Sequence, residues 1–192
     1  MAIDWTLLKL CNSLAGRSML LDTLIRILVN DYAVTTALAL LLLALWFSGW
    51  TPASREQNQY AVLFAITAMF LSNLFVKLLN LLFYRPRPFA GHDVTLLFYR
   101  PSDSSFPSNS ATVGFSLATA VWFFNRKAGL VMYILASLLG LARVCSGVHY
   151  PSDILGGLLI GVCVAYLIIR KINFLQRFWA LIIRYMRHLL LA

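Results

Sequence analysis

Charged residues are scarce in this chain, and acidic residues are the scarcest. Only 12% of the 192 residues are charged, with 7 Asp or Glu against 16 Lys or Arg. A soluble globular domain carries roughly twice that share of charge. Hydrophobic residues make up 60%, and the mean hydropathy is +0.78. The composition therefore excludes an ordinary water-soluble domain and predicts one compact domain surrounded by lipid.

Cysteine and histidine, the usual metal ligands, are also few. Cys11, Cys145 and Cys163 are an odd number without metal-ligand spacing, and we interpret all three as small packing residues. No carboxylate cluster or histidine pair is visible in the sequence, so neither a metal nor another cofactor is expected. The net charge of +9 forms no continuous basic stripe, which argues against a nucleic acid partner.

Apolar segments between residues 32 and 170 predict transmembrane helices, whereas both ends of the chain are amphipathic. Residues 1–30 have apolar positions at helical spacing with charges on the other face, as interfacial helices do. Residues 173–192 alternate apolar residues with arginine, as a basic helix on anionic lipid does. We therefore predict an all-α integral membrane protein, a bundle of five to six transmembrane helices with interfacial amphipathic helices at the ends. The five clear spans are 32–53, 60–84, 108–124, 128–141 and 152–169.

Basic residues mark one side of the predicted bundle. They lie in a polar turn at 51–59, in a turn at 125–127 and in the tail, and the positive-inside rule makes that side cytoplasmic. The loop at 85–107 and the turn at 143–152 then share the outer face. Because they lie at the same membrane level, their residues can meet.

The segment A-R-V-C-S-G-V-H-Y-P-S-D at 142–153 is the most informative in the chain. Ionisable groups beside lipid-spanning sequence are costly and usually functional. Arg143 can hold an oxyanion with two hydrogen bonds, His149 can attack phosphorus, and Asp153 can orient its ring. The alternative is a juxtamembrane loop whose arginine extends to headgroups.

Two further segments reach the same outer face. Arg87, in R-P-R-P-F, follows the second span, and Ser108, in F-P-S-N-S, opens the third. Asp153 opens the fifth span, so two helix N-termini point at one place, and such termini bind phosphate. We therefore predict a site for a phosphoryl group in which arginine, not a metal ion, supplies the positive charge.

These three segments resemble the signature segments of the type 2 phosphatidic acid phosphatase superfamily, and most closely its bacitracin-resistance type of undecaprenyl pyrophosphate phosphatase. The resemblance rests on R-x5-H-x3-D at 143–153, F-P-S at 106–108 and R-P-F at 87–89. It implies that His149 is a nucleophile forming a phosphohistidine and that Asp153 orients it. It also implies that phosphoryl oxygens are held by Arg87 and Arg143, with Ser108 and the neighbouring Asn109.

The chain departs from the family pattern at two positions. Asn80 stands where the family has a lysine, and Lys77, one helical turn away, either reaches the site or extends to the lipid headgroups. Ser110 stands where the family has the histidine that protonates the leaving group, and serine is no acid near neutral pH. Either the enzyme is weakened or another group supplies the acid. His92, in the outer loop, is a candidate that we expect to be merely solvated.

The resemblance implies removal of the terminal phosphate from undecaprenyl diphosphate, without metal, in a multi-pass protein of the bacterial cytoplasmic membrane. The site would face the periplasm or exterior, and the partners would be the lipid diphosphate and membrane lipids, with no obligate protein partner. A phosphatidylglycerophosphate or phosphatidate phosphatase and a catalytically inactive lipid-phosphate binder remain alternatives. A channel or transporter is disfavoured, because the charges lie at one interface and not at the midplane.

Overall fold

A computed structural model describes residues 2–171 and 173–188, and every regular element within those ranges is a helix. The all-α fold is therefore confirmed. The last four residues of the predicted basic tail, 189–192, lie outside the described residues. In chain order the helices are α1 (Ala2–Asn12), α2 (Met19–Val29), α3 (Ala33–Phe47), α4 (Pro52–Leu82), α5 (Pro88–Gly91), α6 (Asn109–Phe124), α7 (Arg126–Cys145), α8 (Pro151–Lys171) and α9 (Asn173–His188).

The predicted spans correspond to α3, α4, α6, α7 and α8. Among the described residues, α4, α7 and α8 are each long and apolar enough to cross a membrane. Helices α2 and α3 pass the same test only as a pair, bent by 53°, which makes them a broken span or a re-entrant loop. Helix α6 has 16 residues, about 24 Å at 1.5 Å per residue, less than a hydrocarbon core of about 30 Å. By length and composition, the described residues thus contain three candidate membrane spans, or four if the bent pair is one span. The interfacial position of residues 1–30 stays a prediction.

The prediction of a polar turn at 51–59 is wrong, because α4 begins at Pro52 and includes those residues. Thr51 caps the helix: its hydroxyl accepts a hydrogen bond from the Ser54 backbone N–H, and the Ser54 hydroxyl accepts one from the Thr51 backbone N–H. Proline is also favoured in a first helical turn. These end signals outweigh the polarity of the segment, and the 31-residue helix extends beyond the hydrocarbon layer.

Helix α6 lies at the centre of the bundle, against α4, α7 and α8. Its close approach to α8 requires glycine: a Cβ at Gly157 or Gly161 would come within 2.7 Å of the carbonyl oxygen of Ser108 or Thr112. Small residues allow such backbone contact between membrane helices. The N-termini of α6 and α8 are consequently side by side, and the Ser108 N–H donates to the Asp153 carbonyl at 3.0 Å.

Apolar side chains cover both the inside and the outside of the bundle. A buried cluster that includes Leu38, Phe64 and Met132 joins α3, α4, α6, α7 and α8. Large apolar side chains are also exposed along the helices, among them Leu81 and Leu159. Such a continuous apolar exterior would be a liability in water and is expected in lipid.

The loop between α5 and α6 and the turn between α7 and α8 meet at one end of the bundle, as predicted from their shared membrane side. Asn12, at the end of α1, links the loop and the turn by hydrogen bonds. Its side-chain amide donates to the carbonyls of Thr95 and Cys145, each at 2.8 Å, and accepts from the Thr95 N–H at 2.9 Å. Cys145 packs in a buried cluster with Ala15, Ile25 and Leu97, as a small packing residue does.

Candidate active site

His149 lies in the turn between α7 and α8, and its ring is almost fully buried. Its Nδ1 is 2.9 Å from the Ser105 carbonyl oxygen, which can only accept a hydrogen bond. Nδ1 therefore carries the proton in the neutral ring, and the lone pair is on Nε2. Nε2 faces Nη1 of Arg87 at 3.1 Å, so a guanidinium N–H is aimed at that lone pair.

The surroundings of His149 keep its ring neutral. Burial lowers the pKa of His149 below its ordinary value of 6.5, and the nearby Arg87 and Arg143 act in the same direction. The hydrogen bond to Asp153 opposes this effect without reversing it. A neutral imidazole with a free Nε2 lone pair is the form that can attack phosphorus.

Asp153, at the start of α8, is fully buried behind His149. Its Oδ2 is 3.5 Å from Nδ1 of His149 and accepts hydrogen bonds from the Ser105 hydroxyl at 2.5 Å and the Tyr150 N–H at 2.8 Å. Asp153 thus contacts the ring directly and also through Ser105. The Ser105 hydroxyl donates to Asp153, and the Ser105 carbonyl accepts the hydrogen bond from Nδ1–H of the ring.

Arg85, the first arginine of R-P-R-P-F, neutralises the buried Asp153 carboxylate. Its Nη1 donates to Oδ1 of Asp153 at 2.6 Å and to the Ser152 hydroxyl at 2.7 Å. Its Nη2 donates to Asp4 of α1 at 2.7 Å. One guanidinium therefore connects α1, the segment that follows α4 and the start of α8.

Arg87 and Arg143 line one cavity, and each is paired with an aspartate there. Nη2 of Arg87 donates to Asp103 at 2.8 Å, and Nη2 of Arg143 donates to Asp31 at 2.7 Å. Arg143 is only 6% exposed, and its Nε has no hydrogen-bond partner among the described residues. A buried charged donor without a partner is rare in proteins, and this one is free to donate to an acceptor oxygen of a ligand.

The cavity beside these arginines has a volume of about 270 Å³. His149 and two residues at the N-terminal end of α6, Asn109 and Ser110, also line it. Ser108 is fully buried behind the wall, with its hydroxyl 3.5 Å from that of Ser110. The remaining lining residues are Asp31, Thr35, Tyr99, Pro101, Asp103 and Val113.

Two residues that the sequence left as candidates lie elsewhere. Lys77 is exposed on α4 and is not among the cavity-lining residues. His92 stacks on Trp5, with ring centroids 4.0 Å apart, and lines a different cavity with Tyr150. Neither is placed to act on a group bound between Arg87 and Arg143.

Sequence reasoning missed the residues that surround the predicted ones. Asp31 and Asp103 pair with the arginines, while Arg85 and Asp4 support Asp153. One signal was available: acidic residues are so few in this chain that each is a candidate for a specific role. Their partners were not readable, because Asp4 and Asp31 are more than a hundred residues from Asp153 and Arg143.

The arrangement combines a cationic pocket with a buried neutral imidazole. Two arginines and the first N–H groups of α6 supply positive charge and donors, and Nε2 of His149 supplies a lone pair. Within the described residues, no group of three or more His, Cys, Asp or Glu side chains is placed to hold a metal ion.

Residues 61–177 of the chain match the family model described as the PAP2 superfamily. This match covers more than half of the sequence and includes all three signature segments. The chain belongs to the PAP2 superfamily. The predicted family is therefore confirmed, and with it the enzyme class of a membrane lipid phosphatase.

Individual PAP2 proteins resemble the chain over most of its length. Undecaprenyl-diphosphatase BcrC of Bacillus subtilis is 33% identical over 182 residues, which is 95% of this chain and 91% of that protein. The Bacitracin transport permease protein BcrC of Bacillus licheniformis is 31% identical over 75% of this chain and 70% of its own length. These relatives confirm the resemblance to the bacitracin-resistance type.

A solved structure has the same fold. The crystal structure of LpxE from Aquifex aeolicus superimposes with a TM-score of 0.65 at 27% identity, covering 89% of this chain and 97% of that chain. The bundle of membrane helices is thus a PAP2 bundle, and the protein is a multi-pass membrane protein.

Proposed function

We propose that this PAP2 protein removes the terminal phosphate from a polyprenyl diphosphate of the undecaprenyl type. The observation that carries the proposal is the junction of two cavities. The polar cavity with Arg87, Arg143 and His149 shares two lining residues, Thr35 and Val113, with an apolar groove of about 660 Å³. A charged headgroup and a long hydrocarbon tail can therefore be bound side by side. The undecaprenyl-diphosphatase name of the 33% identical relative agrees with this substrate.

The apolar groove runs along α3 between that helix, α4 and α6. On α3 its lining extends from Thr35 to Phe47, about 18 Å at 1.5 Å per residue. It therefore continues past the middle of a hydrocarbon core about 30 Å thick. Met186 of α9 also lines it. A groove of this length fits one long tail, and transfer of that tail from the bilayer costs little because both environments are apolar.

The roles of the site residues follow from their contacts. The terminal phosphoryl group binds Arg87 and Arg143, whose N–H donors then bond its oxygens instead of Nε2 of His149 and the two aspartates. Nε2 attacks phosphorus, while the Ser105 carbonyl and Asp153 stabilise the ring proton on Nδ1. The N–H groups of Asn109 and Ser110 at the start of α6 add donors for the phosphoryl oxygens. Ser108 supports this turn from behind.

The site is proposed to face outward in the bacterial cytoplasmic membrane. The other end of the bundle is the basic one. There Arg187 of α9 pairs with Glu56 at 3.0 Å, and Gln57 donates to the Phe124 carbonyl beside Arg126 and Lys127. The positive-inside rule makes this end cytoplasmic. The whole chain then forms one membrane-embedded domain, with residues 1–30 and α9 accompanying the core spans.

The substrate test measures phosphate release from undecaprenyl diphosphate, phosphatidylglycerophosphate and the tailless para-nitrophenyl phosphate in detergent micelles. Ala39→Trp fills the groove, whereas Ala44→Trp, on the same helix but outside the groove lining, is the matched control. We expect Ala39→Trp to reduce hydrolysis of the polyprenyl substrate selectively and to leave the tailless substrate unaffected. Preference for phosphatidylglycerophosphate, or equal effects of the two variants, would contradict the proposal.

A further inference from the structure

A second cavity with a cationic lining lies at the basic end of the bundle, away from His149. Its volume is about 380 Å³. The lining comes from the turn between α3 and α4, from the first turn of α4 and from the end of α9. The lining residues are Gly49, Trp50, Thr51, Pro52, Arg55 and Arg187. Two of these described residues are ionisable, and both are arginines, so the cavity attracts an anion.

The two arginines differ in what they contact. Nη2 of Arg187 donates to Glu56 at 3.0 Å, which joins the end of α9 to α4. The exposed guanidinium of Arg55 makes no hydrogen bond or ion pair within residues 2–171 and 173–188. All of its donors are therefore available to a ligand, and a guanidinium can donate two parallel hydrogen bonds to one phosphate group.

The turn that faces Arg55 is held in place before any ligand binds. Gly49 has a φ of +138°, and a Cβ at this position would lie 2.5 Å from the Arg55 backbone nitrogen, so the close approach requires glycine. Nδ2 of Asn58 donates to the hydroxyl of Ser48 at 2.9 Å, and Asn125 donates to Oδ1 of Asn58 at 3.0 Å. A preformed wall lowers the cost of ordering the site on binding.

Apolar side chains adjoin this cavity and continue along the membrane-facing surface. Trp50 is fully exposed at its edge, as aromatic residues at a membrane interface often are. Phe47, at the end of α3, and Met186, next to Arg187, both line the apolar groove. A ligand with its phosphate at the arginines can therefore place hydrocarbon chains against neighbouring apolar side chains. A phospholipid has both parts, whereas free phosphate has only the first.

We propose that this cavity binds the headgroup phosphate of an anionic phospholipid in the leaflet at the basic end of the bundle. Arg55 of α4 and Arg187 of α9 donate to the phosphate oxygens, and the bound lipid bridges the two helices. The inference depends on neither the substrate of the enzyme nor the direction in which the chain crosses the membrane. It differs from a general attraction of anionic lipid to basic residues, because only two of the basic residues at this end line the cavity.

The test counts the lipid molecules that the purified protein retains in native mass spectrometry. The protein is taken from micelles that contain equal amounts of phosphatidylglycerol and phosphatidylcholine. We expect one phosphatidylglycerol per chain to be retained in preference, and Arg55→Gln to weaken this retention about tenfold or more. Lys127→Gln makes the same change of charge at an exposed residue of the same end, outside the cavity, and should have no effect.

Glu56→Gln separates binding by Arg187 from its contact between α9 and α4. Arg187→Gln and Glu56→Gln both break the ion pair, but only the first removes a phosphate donor. We expect Arg187→Gln to lower phosphatidylglycerol retention as Arg55→Gln does. Glu56→Gln should maintain or raise it, because a competing carboxylate is gone. Arg177→Gln, at an exposed residue of α9 outside the cavity, controls for the charge of this helix.

Three results would overturn the inference. Equal losses for Arg55→Gln and Lys127→Gln, or for Arg187→Gln and Arg177→Gln, would show a diffuse attraction without a discrete site. Equal losses for Arg187→Gln and Glu56→Gln would give Arg187 a structural role only. Displacement of the retained lipid by millimolar inorganic phosphate would identify a site for the free anion. His149→Ala should retain the lipid as the unmodified protein does, so this test is separate from that of the proposed function.

Discussion

Removal of the Arg85 guanidinium should destabilise the whole end of the bundle that carries the site. Asp153 is fully buried, and Arg85, itself 23% exposed, is its cationic partner at 2.6 Å. Breaking a buried ion pair by removing one partner costs about 3–5 kcal/mol, and partial exposure of Arg85 to water favours the lower end. We therefore expect Arg85→Ala to lower the free energy of unfolding by about 3 kcal/mol.

Thermal unfolding of the purified protein in detergent micelles measures this loss. For a chain of this size a loss of about 3 kcal/mol corresponds to a fall in Tm of about 6–12 °C. Arg100→Ala is the matched control, since Arg100 is exposed in the same loop and lies 5.8 Å above the Phe89 ring. It should cost no more than about 0.5 kcal/mol, as surface substitutions usually do.

A double variant shows whether the loss comes from the unpaired carboxylate. Asp153→Asn removes the buried charge, so Arg85→Ala should cost less in that background, with a coupling of about 0.5–3 kcal/mol. Equal Tm shifts for Arg85→Ala and Arg100→Ala, or strict additivity with Asp153→Asn, would refute the reasoning.

Three further predictions concern the bound phosphate, the ionisation of the nucleophile and the orientation of the chain. Arg143→Lys and Arg87→Lys keep the positive charge but lose the planar guanidinium that donates two hydrogen bonds to an oxyanion. Each should therefore weaken inhibition by vanadate about tenfold or more. Unchanged inhibition of both variants would show that the arginines do not bind the phosphoryl group. Because burial lowers the pKa of His149 below 6.5, the ring is protonated, and the reaction stops, only at lower pH. The acid limb of the pH profile of kcat/KM should therefore lie below pH 6.5. An acid limb above pH 6.5 would contradict a neutral buried ring. In a variant whose three cysteines are replaced by alanine, Ser102→Cys should react with an impermeant thiol reagent on intact cells and Ala53→Cys should not, whereas the reverse pattern would invert the proposed orientation.

Local spacing explains what the sequence predicted well. In R-x5-H-x3-D, His149 precedes Asp153 by one helical turn, and the structure brings Nδ1 and Oδ2 to 3.5 Å. The alternation of apolar spans with polar loops placed Arg87 and Ser108 on the face that carries His149. These inferences needed only helix geometry and the sidedness of a membrane bundle.

Residues distant in sequence explain what it predicted poorly. Asp4 belongs to α1 and Asp31 to the turn between α2 and α3, neither of which has a signature segment. Their roles come from the packing of the first helices against α8 and α7. Hydropathy alone misassigned 51–59, because the capping signal at Thr51 and Pro52 starts a helix despite the polarity of the residues that follow. A residue of a signature segment does not always line the cavity either. Ser108 belongs to F-P-S, but it is buried behind the cavity wall.

Trapping the phosphorylated intermediate tests the central claim most directly. Undecaprenyl diphosphate labelled with ³²P in its terminal phosphate is mixed with the enzyme, and the reaction is stopped within the first turnover. We predict a protein-bound phosphate that is labile in acid, stable in base and located on the peptide that contains His149. The label should be absent from His149→Ala. A label on another residue, or continued turnover by His149→Ala, would contradict the account.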